Sequence, residues 1–244
     1  MKTCIHFIFI LSVLPGFVWA QQFSGDYFKP ASDSVITNTD IPVVPTPSFK
    51  LYRPSVIPYI AFGVGLQLRH GPILVSKYKL QEEIEGEMFA KFHTHVDNYL
   101  QFAPIAAPFI LDIWGVKSYH SQATRNKMIF ESSLLTIASV SLLKRTFNDQ
   151  RPDGKGYQSF TSGHTAIAFT GAAILAKEYG KRYPWIKWTG YGVATLVGLC
   201  RIANNRHWGS DVIAGAAVGV ITTDLVYLAN RKMLVKKVRM HAEL

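Results

Sequence analysis

The sequence has 244 residues, 48% of them hydrophobic, and a formal net charge of +10. That length holds one domain, or one domain with an appendage, and the basic excess suits an anionic partner: nucleic acid, anionic lipid or a phosphate-bearing substrate. Its two cysteines, Cys4 and Cys200, exclude a disulfide-rich scaffold, and no Cys/His spacing suits zinc, so no metal or other cofactor is expected.

The chain begins MKTCIHFIFILSVLPGFVWAQQ, in which Lys2 precedes a short apolar run, a Pro15-Gly16 break and Val18-Trp19-Ala20. This is the order of a secretory signal peptide, expected over 1–20, with a retained anchor helix as the alternative. Residue 21 then starts outside the cytosol. A Pro- and Ser-rich stretch, TNTDIPVVPTPSFKLYRPS, reads as part of a periplasmic lead-in over 21–99.

Six apolar segments follow, near 56–68, 100–116, 128–143, 164–179, 186–200 and 211–229. Several are shorter than the ~20 residues of an ideal span. The mean hydropathy of +0.12 is low for a polytopic chain, so a soluble helical bundle competes. Charge placement favours the membrane. Lys117, Arg125 and Lys127 follow the second segment; Lys177, Lys181, Arg182 and Lys187 the fourth; Arg231, Lys232, Lys236, Lys237 and Arg239 the sixth. One face recurs each time, as the positive-inside rule requires of cytoplasmic loops. Glu82, Glu83, Glu85, Glu87 and Asp97 fit the outside.

The expected fold is therefore an all-α, polytopic membrane bundle of about five to six spanning helices. Its helical core covers 100–230, and 231–244 form a basic cytoplasmic tail. Parity then keeps segment 56–68 from crossing, because residue 21 and residue 99 both lie outside. Pro58, Gly63, Gly65 and Arg69 also make it a poor span, so it is read as interfacial or packed against the bundle.

The same count puts linkers 144–163 and 201–210 outside, and they hold the chemistry. Lys144, Arg151 and Arg201 are cations at the ends of apolar helices, where desolvation is costly unless an anion answers them. Ser162-Gly163-His164 opens the next helix, offering backbone N–H groups and the positive end of a dipole, with no Cβ at Gly163 to block approach. Together these suit a phosphoryl group. Asp211 is four residues after His207, so on a helical turn the carboxylate orients the imidazole for nucleophilic attack. His164 is then placed to protonate the leaving alkoxide.

Taken singly, each piece has an ordinary explanation. Basic residues near a membrane snorkel, Ser-Gly caps helices, and His-x-x-x-Asp is a common surface pair. Jointly, in order and on one face, they are hard to explain that way.

As a set, Lys144-x6-Arg151-Pro152, Ser162-Gly163-His164 and Arg201-x5-His207-x3-Asp211 resemble the three signature motifs of the type 2 phosphatidic acid phosphatase superfamily. The resemblance implies an all-helical core of the kind shared with chloroperoxidases and hydrolysis through a phosphohistidine without a metal. Carried over by motif, His207 is the nucleophile, Asp211 its orienter and His164 the general acid. Lys144, Arg151, Ser162, Gly163 and Arg201 hold the phosphate. Two positions depart from the family pattern: Thr161 stands where proline is usual, and Cys200 where serine is usual. Neither change removes a charged or proton-transferring group.

The expected function is removal of a phosphate from a lipid at the periplasmic face of a bacterial inner membrane. The stretch Asp97-Asn-Tyr-Leu-Gln-Phe-Ala-Pro104 is similar to Gram-negative members that include lipid A phosphatases. Undecaprenyl pyrophosphate, phosphatidylglycerol phosphate and phosphatidic acid are the competing substrates. A soluble periplasmic acid phosphatase and a lipid-phosphate binding or transport protein are the competing functions. Nucleic acid is disfavoured, because the surplus charge follows loop ends instead of forming one aromatic-laced patch. Oligomeric state is not legible.

Overall fold

The computed structural model describes residues 54–70, 81 and 92–242. The signal peptide expected over 1–20, the expected lead-in up to residue 53 and the glutamates at 82–87 lie outside the described residues. Those described are helical or irregular, with no strand among them. The helices are α1 (Ile57–His70), α2 (Val96–Leu100), α3 (Ala103–Ile113), α4 (Gln122–Phe147), α5 (Gly163–Glu178), α6 (Pro184–Ala203) and α7 (Gly209–Ala242).

Local chemistry sets several of these ends. Proline opens α6 at Pro184 and lies in the first turn of α3 at Pro104, where its missing N–H costs nothing. Ser121 caps α4 by accepting from the Thr124 N–H at 3.4 Å. Asn148, at φ 43°, closes α4 in the left-handed conformation and donates its N–H to the Lys144 carbonyl.

Helix α5 is the centre of the bundle, packed against α3, α4, α6 and α7. Small residues make that position possible. A Cβ on Gly171 would lie 2.6 Å from the Ile105 nitrogen of α3, and one on Gly219 of α7 would lie 2.2 Å from the Ala166 carbonyl oxygen. Close backbone approach of this kind is the usual basis of helix packing where no water drives association. A threonine cluster adds polar links, with Thr136 of α4 bonded to Thr170 of α5 at 2.8 Å and Thr222 of α7 at 2.6 Å.

Helix α1 packs along α7, choosing between the two placements expected for segment 56–68. Gly65, read from sequence as a mark against spanning, is a contact position: its Cβ would meet the Ala214 Cβ at 2.9 Å. Arg69 turns inward too, forking onto both carboxylate oxygens of Asp149 and lying 4.4 Å from the Phe147 ring centre.

Two expectations change. Among the described residues, a single stretch, Gly209–Arg231, is both long and apolar enough to cross a membrane, with Ala103–Ile113 as a shorter apolar helix. The five to six spans are thus not supported by length and composition alone. The reason is visible in α5, which has 16 residues, and in α4, whose first turns carry Arg125, Lys127 and Glu131. Arg125, expected as a loop charge, is fully buried and bonds Asp112 at 2.7 Å and the Tyr179 hydroxyl at 2.9 Å. Asp97, one of the acidic residues expected on the outer side of the membrane, is buried as well. Each carries a partner from a distant element, which no local charge count can see.

Candidate active site

Three breaks between helices converge at one end of the bundle. The first runs from the last turn of α4 to α5. Lys144 sits in that last turn and donates through Nζ to the Gln158 carbonyl. Beyond it, Arg151 lies in a tight loop closed by its own N–H to the Gly156 carbonyl at 2.9 Å. Gly154 (φ 67°) and Gly156 (φ 147°) supply backbone angles that side chains resist. The Arg69 fork on Asp149 and an Arg206–Asp153 ion pair of 3.1 Å hold this loop from both sides.

The second break is the start of α5. Ser162 takes the N-cap position, as expected, yet its side chain makes no capping bond to the helix backbone. Its Oγ pairs with Thr165 Oγ1 at 2.9 Å, and its N–H donates to the Asp211 carbonyl at 3.0 Å. The first-turn N–H groups therefore keep no side-chain cap, which suits an incoming anion. A Cβ at Gly163 would meet only Val140 Cγ1, at 3.6 Å. Thr161, at the position of the missing proline, is fully buried with Oγ1 lacking a hydrogen-bond partner.

The third break joins α6 to α7. Arg201 is buried, with Nη1 on Asp97 Oδ2 at 2.6 Å and Nε without a hydrogen-bond partner. Its unpaired edge is the kind of planar fork that grips two phosphate oxygens. His207 is 2% exposed. Asp211 was expected on the same helical face as His207, but α7 begins only at Gly209. Asp211 instead reaches back, accepting from the Trp208 N–H at 3.1 Å in half of a capping box. Ser159 Oγ also donates to Asp211 Oδ2, so this oxygen is already engaged. His207 Nδ1 stands 3.5 Å from it and makes no hydrogen bond among the described residues. The carboxylate is positioned by the helix start, and the imidazole lies beside it.

The named residues meet here. Lys144 is within electrostatic reach of Arg151, Arg201 and Asp211, and His164 of Arg201, His207 and Lys144. Ser162 is tied to Asp211 through the backbone, and Gly163 follows it in the first turn. Burial disfavours the charged form of His207, and the Lys144 and Arg201 charges add to this against the pull of Asp211. Together they bring its pKa down to about 4. Because the shift is downward, the ring stays neutral as pH falls through the ordinary histidine range and takes its proton only near pH 4. NMR of the free protein with labelled histidine should show this; a midpoint at the ordinary ~6.5 would contradict it.

Residues 128–233 match the family model described as PAP2 superfamily, the type 2 phosphatidic acid phosphatases. Residues 128–233 of this chain are a PAP2 superfamily domain. All three motifs fall inside the matched range. The lipid A 1-phosphatase of Porphyromonas gingivalis is 36% identical over 190 residues, covering 74% of this chain and 42% of that protein. The chain thus spans less than half the length of that relative. Two solved structures are similar. Aquifex aeolicus LpxE is 24% identical with a TM-score of 0.49, covering 64% of this chain and 96% of that one. A transmembrane PAP2 type phosphatidylglycerolphosphate phosphatase from Bacillus subtilis is 20% identical with a TM-score of 0.49, covering 73% and 98%.

Beyond the PAP2 motifs, the site contains residues that sequence reasoning missed. Asp97 holds Arg201 across 104 positions, and Asn204 bonds Asp97 at 3.3 Å and the Thr94 carbonyl at 2.9 Å. Asn98 Oδ1 lies 3.1 Å from His164 Nε2. Ser159 braces Asp211. The stretch at 97–104 had been noted for its resemblance, with no role attached.

Proposed function

We propose that the protein is a metal-independent phosphatase that hydrolyses a lipid-linked phosphate at the periplasmic face of a bacterial inner membrane. The observation that carries this reading is a buried, neutral His207 beside Lys144, Arg151, Arg201 and the uncapped start of α5. A neutral imidazole is a nucleophile, and a cluster of cations and N–H groups is what a phosphoryl transition state needs around it.

Asp211 faces Nδ1, so His207 attacks with Nε2. The nitrogen–phosphorus bond forms as the bond to the leaving oxygen breaks, and His164 supplies the proton that oxygen takes. Water then attacks the phosphohistidine, His164 recovers a proton from it, and inorganic phosphate leaves. Lys144, Arg151, Arg201, Ser162 and Gly163 hold the phosphoryl oxygens throughout.

A multi-pass membrane setting is part of the reading. Phe130, Leu134, Ile137 and Leu142 of α4 and Trp188, Leu196 and Leu199 of α6 are exposed. Apolar surface on that scale calls for lipid or a partner. The five segments within 100–230 then span, residues 1–20 are a signal peptide or a sixth helix, and 231–244 are cytoplasmic. Lipid A is the favoured substrate, on the strength of the P. gingivalis relative's name and the stretch at 97–104. Phosphatidylglycerol phosphate, undecaprenyl pyrophosphate and phosphatidic acid are the competitors.

Detergent-solubilised protein in excess chelator should release inorganic phosphate from lipid A, followed by mass spectrometry of the lipid product. Release that stops with chelator and returns with Mg²⁺ would overturn the metal-free mechanism. Release from the other lipid phosphates but not from lipid A would replace the favoured substrate.

A further inference from the structure

The short helix α2 contributes no motif residue, yet it is fixed to the site at several points. Asp97 is fully buried and paired with Arg201 at 2.6 Å. Asn204 ties the same carboxylate and the Thr94 carbonyl, and the Thr94 N–H returns to Asn204 Oδ1 at 2.9 Å. Gln101 donates to the Asn98 carbonyl at 2.8 Å. This register leaves the Asn98 side chain at the exposed mouth of the site, with Oδ1 3.1 Å from His164 Nε2. An amide oxygen can only accept, so the hydrogen of that contact is on Nε2.

We propose that Asn98 is a positioning residue for the proton donor. Its side-chain oxygen holds Nε2–H of His164; once the ring has taken a second proton on Nδ1, drawn there by the anionic phosphate, Nδ1 gives that proton to the departing oxygen. This rests on the phosphatase reading above. It gives His164 what Asp211 gives His207: an acceptor on one nitrogen that fixes the ring and leaves the other to react. Asp97 serves indirectly, by keeping α2 in register while it pairs with Arg201.

A proton donor matters most when the leaving group is a poor one. Phosphatidic acid expels an alkoxide, whereas p-nitrophenyl phosphate expels a stable phenolate that departs with little need of a proton. The test uses the full chain in detergent micelles with both substrates. Asn98→Ala should lower kcat on phosphatidic acid at least ~10-fold more than on p-nitrophenyl phosphate, with KM on the lipid changed less than about threefold. Asn98→Asp keeps an acceptor in place and should recover most of the loss. Equal losses on both substrates would mark a structural role and overturn the inference. So would an unchanged kcat on phosphatidic acid, or an Asn98→Asp variant no better than Asn98→Ala. His207→Ala is run beside them: full activity in that variant would remove the phosphohistidine mechanism, and this inference with it, while no phosphate release by the wild type would remove the phosphatase reading itself.

Discussion

Replacing His207 with alanine is expected to lower kcat by at least ~1000-fold, about 4 kcal/mol of transition-state stabilisation. The loss is large because the other groups of the cluster are engaged otherwise: Lys144, Arg151 and Arg201 are cations, Asp211 is held by Trp208 and Ser159, His164 faces Asn98, and the Ser162 hydroxyl pairs with Thr165. The substitution leaves those cations and the α5 start in place, so inorganic phosphate should still inhibit the residual activity with a constant within about tenfold of the wild type. That combination separates catalysis from binding. A protein that only holds a lipid phosphate would release none in either form, and its binding would survive the change. Wild-type rates in His207→Ala would sink the phosphohistidine mechanism outright. Because His207 is buried, thermal unfolding must be measured alongside, and His207→Gln, which better conserves volume, serves as the second variant.

The eight proposed site residues can be picked out of the sequence because each motif is local. Lys144 and Arg151 flank one helix end, Ser162 to His164 open another, and Arg201 to Asp211 bridge a third break. Spacing within such a break is preserved when the chain folds, so residue types alone bring out the chemistry. Long-range pairs leave no such trace. Asp97 and Arg125 looked like solvated charges, since their partners Arg201 and Tyr179 are 104 and 54 positions away. The His207–Asp211 spacing was read correctly as a pair and wrongly as a helical face. Asp211 belongs to α7, and His207 stands before it. Helical character was equally clear from the apolar segments. The number of spans was not, because a helix that buries small and hydroxylated residues against its neighbours, as α5 does, is less apolar than one facing lipid.

Gly219→Ala should be the most damaging single methyl in the described bundle. The added Cβ would lie 2.2 Å from the Ala166 carbonyl oxygen and 2.9 Å from the Thr170 nitrogen, and both are backbone atoms that cannot swing aside. Relief requires α5 and α7 to part, which costs about 3 kcal/mol or more and lowers the melting temperature by roughly 6 °C or more. Gly192→Ala on α6 is the matched control. Nothing lies within 4 Å of its Cβ, so alanine should be neutral or gain up to about 1 kcal/mol from the lost glycine entropy. The damage should also reach the chemistry. One turn earlier, Gly215 sits so close that its Cβ would be 2.6 Å from the Ser162 carbonyl oxygen, and the Ser162 N–H bonds Asp211 across the same seam. Parting the helices there moves the start of α5, the proposed phosphate site, away from the α7 carboxylate beside His207. Folded Gly219→Ala protein recovered at low temperature should therefore lose kcat as well as stability. Wild-type melting and wild-type turnover in that variant would show that α5 and α7 do not meet as closely as this packing requires.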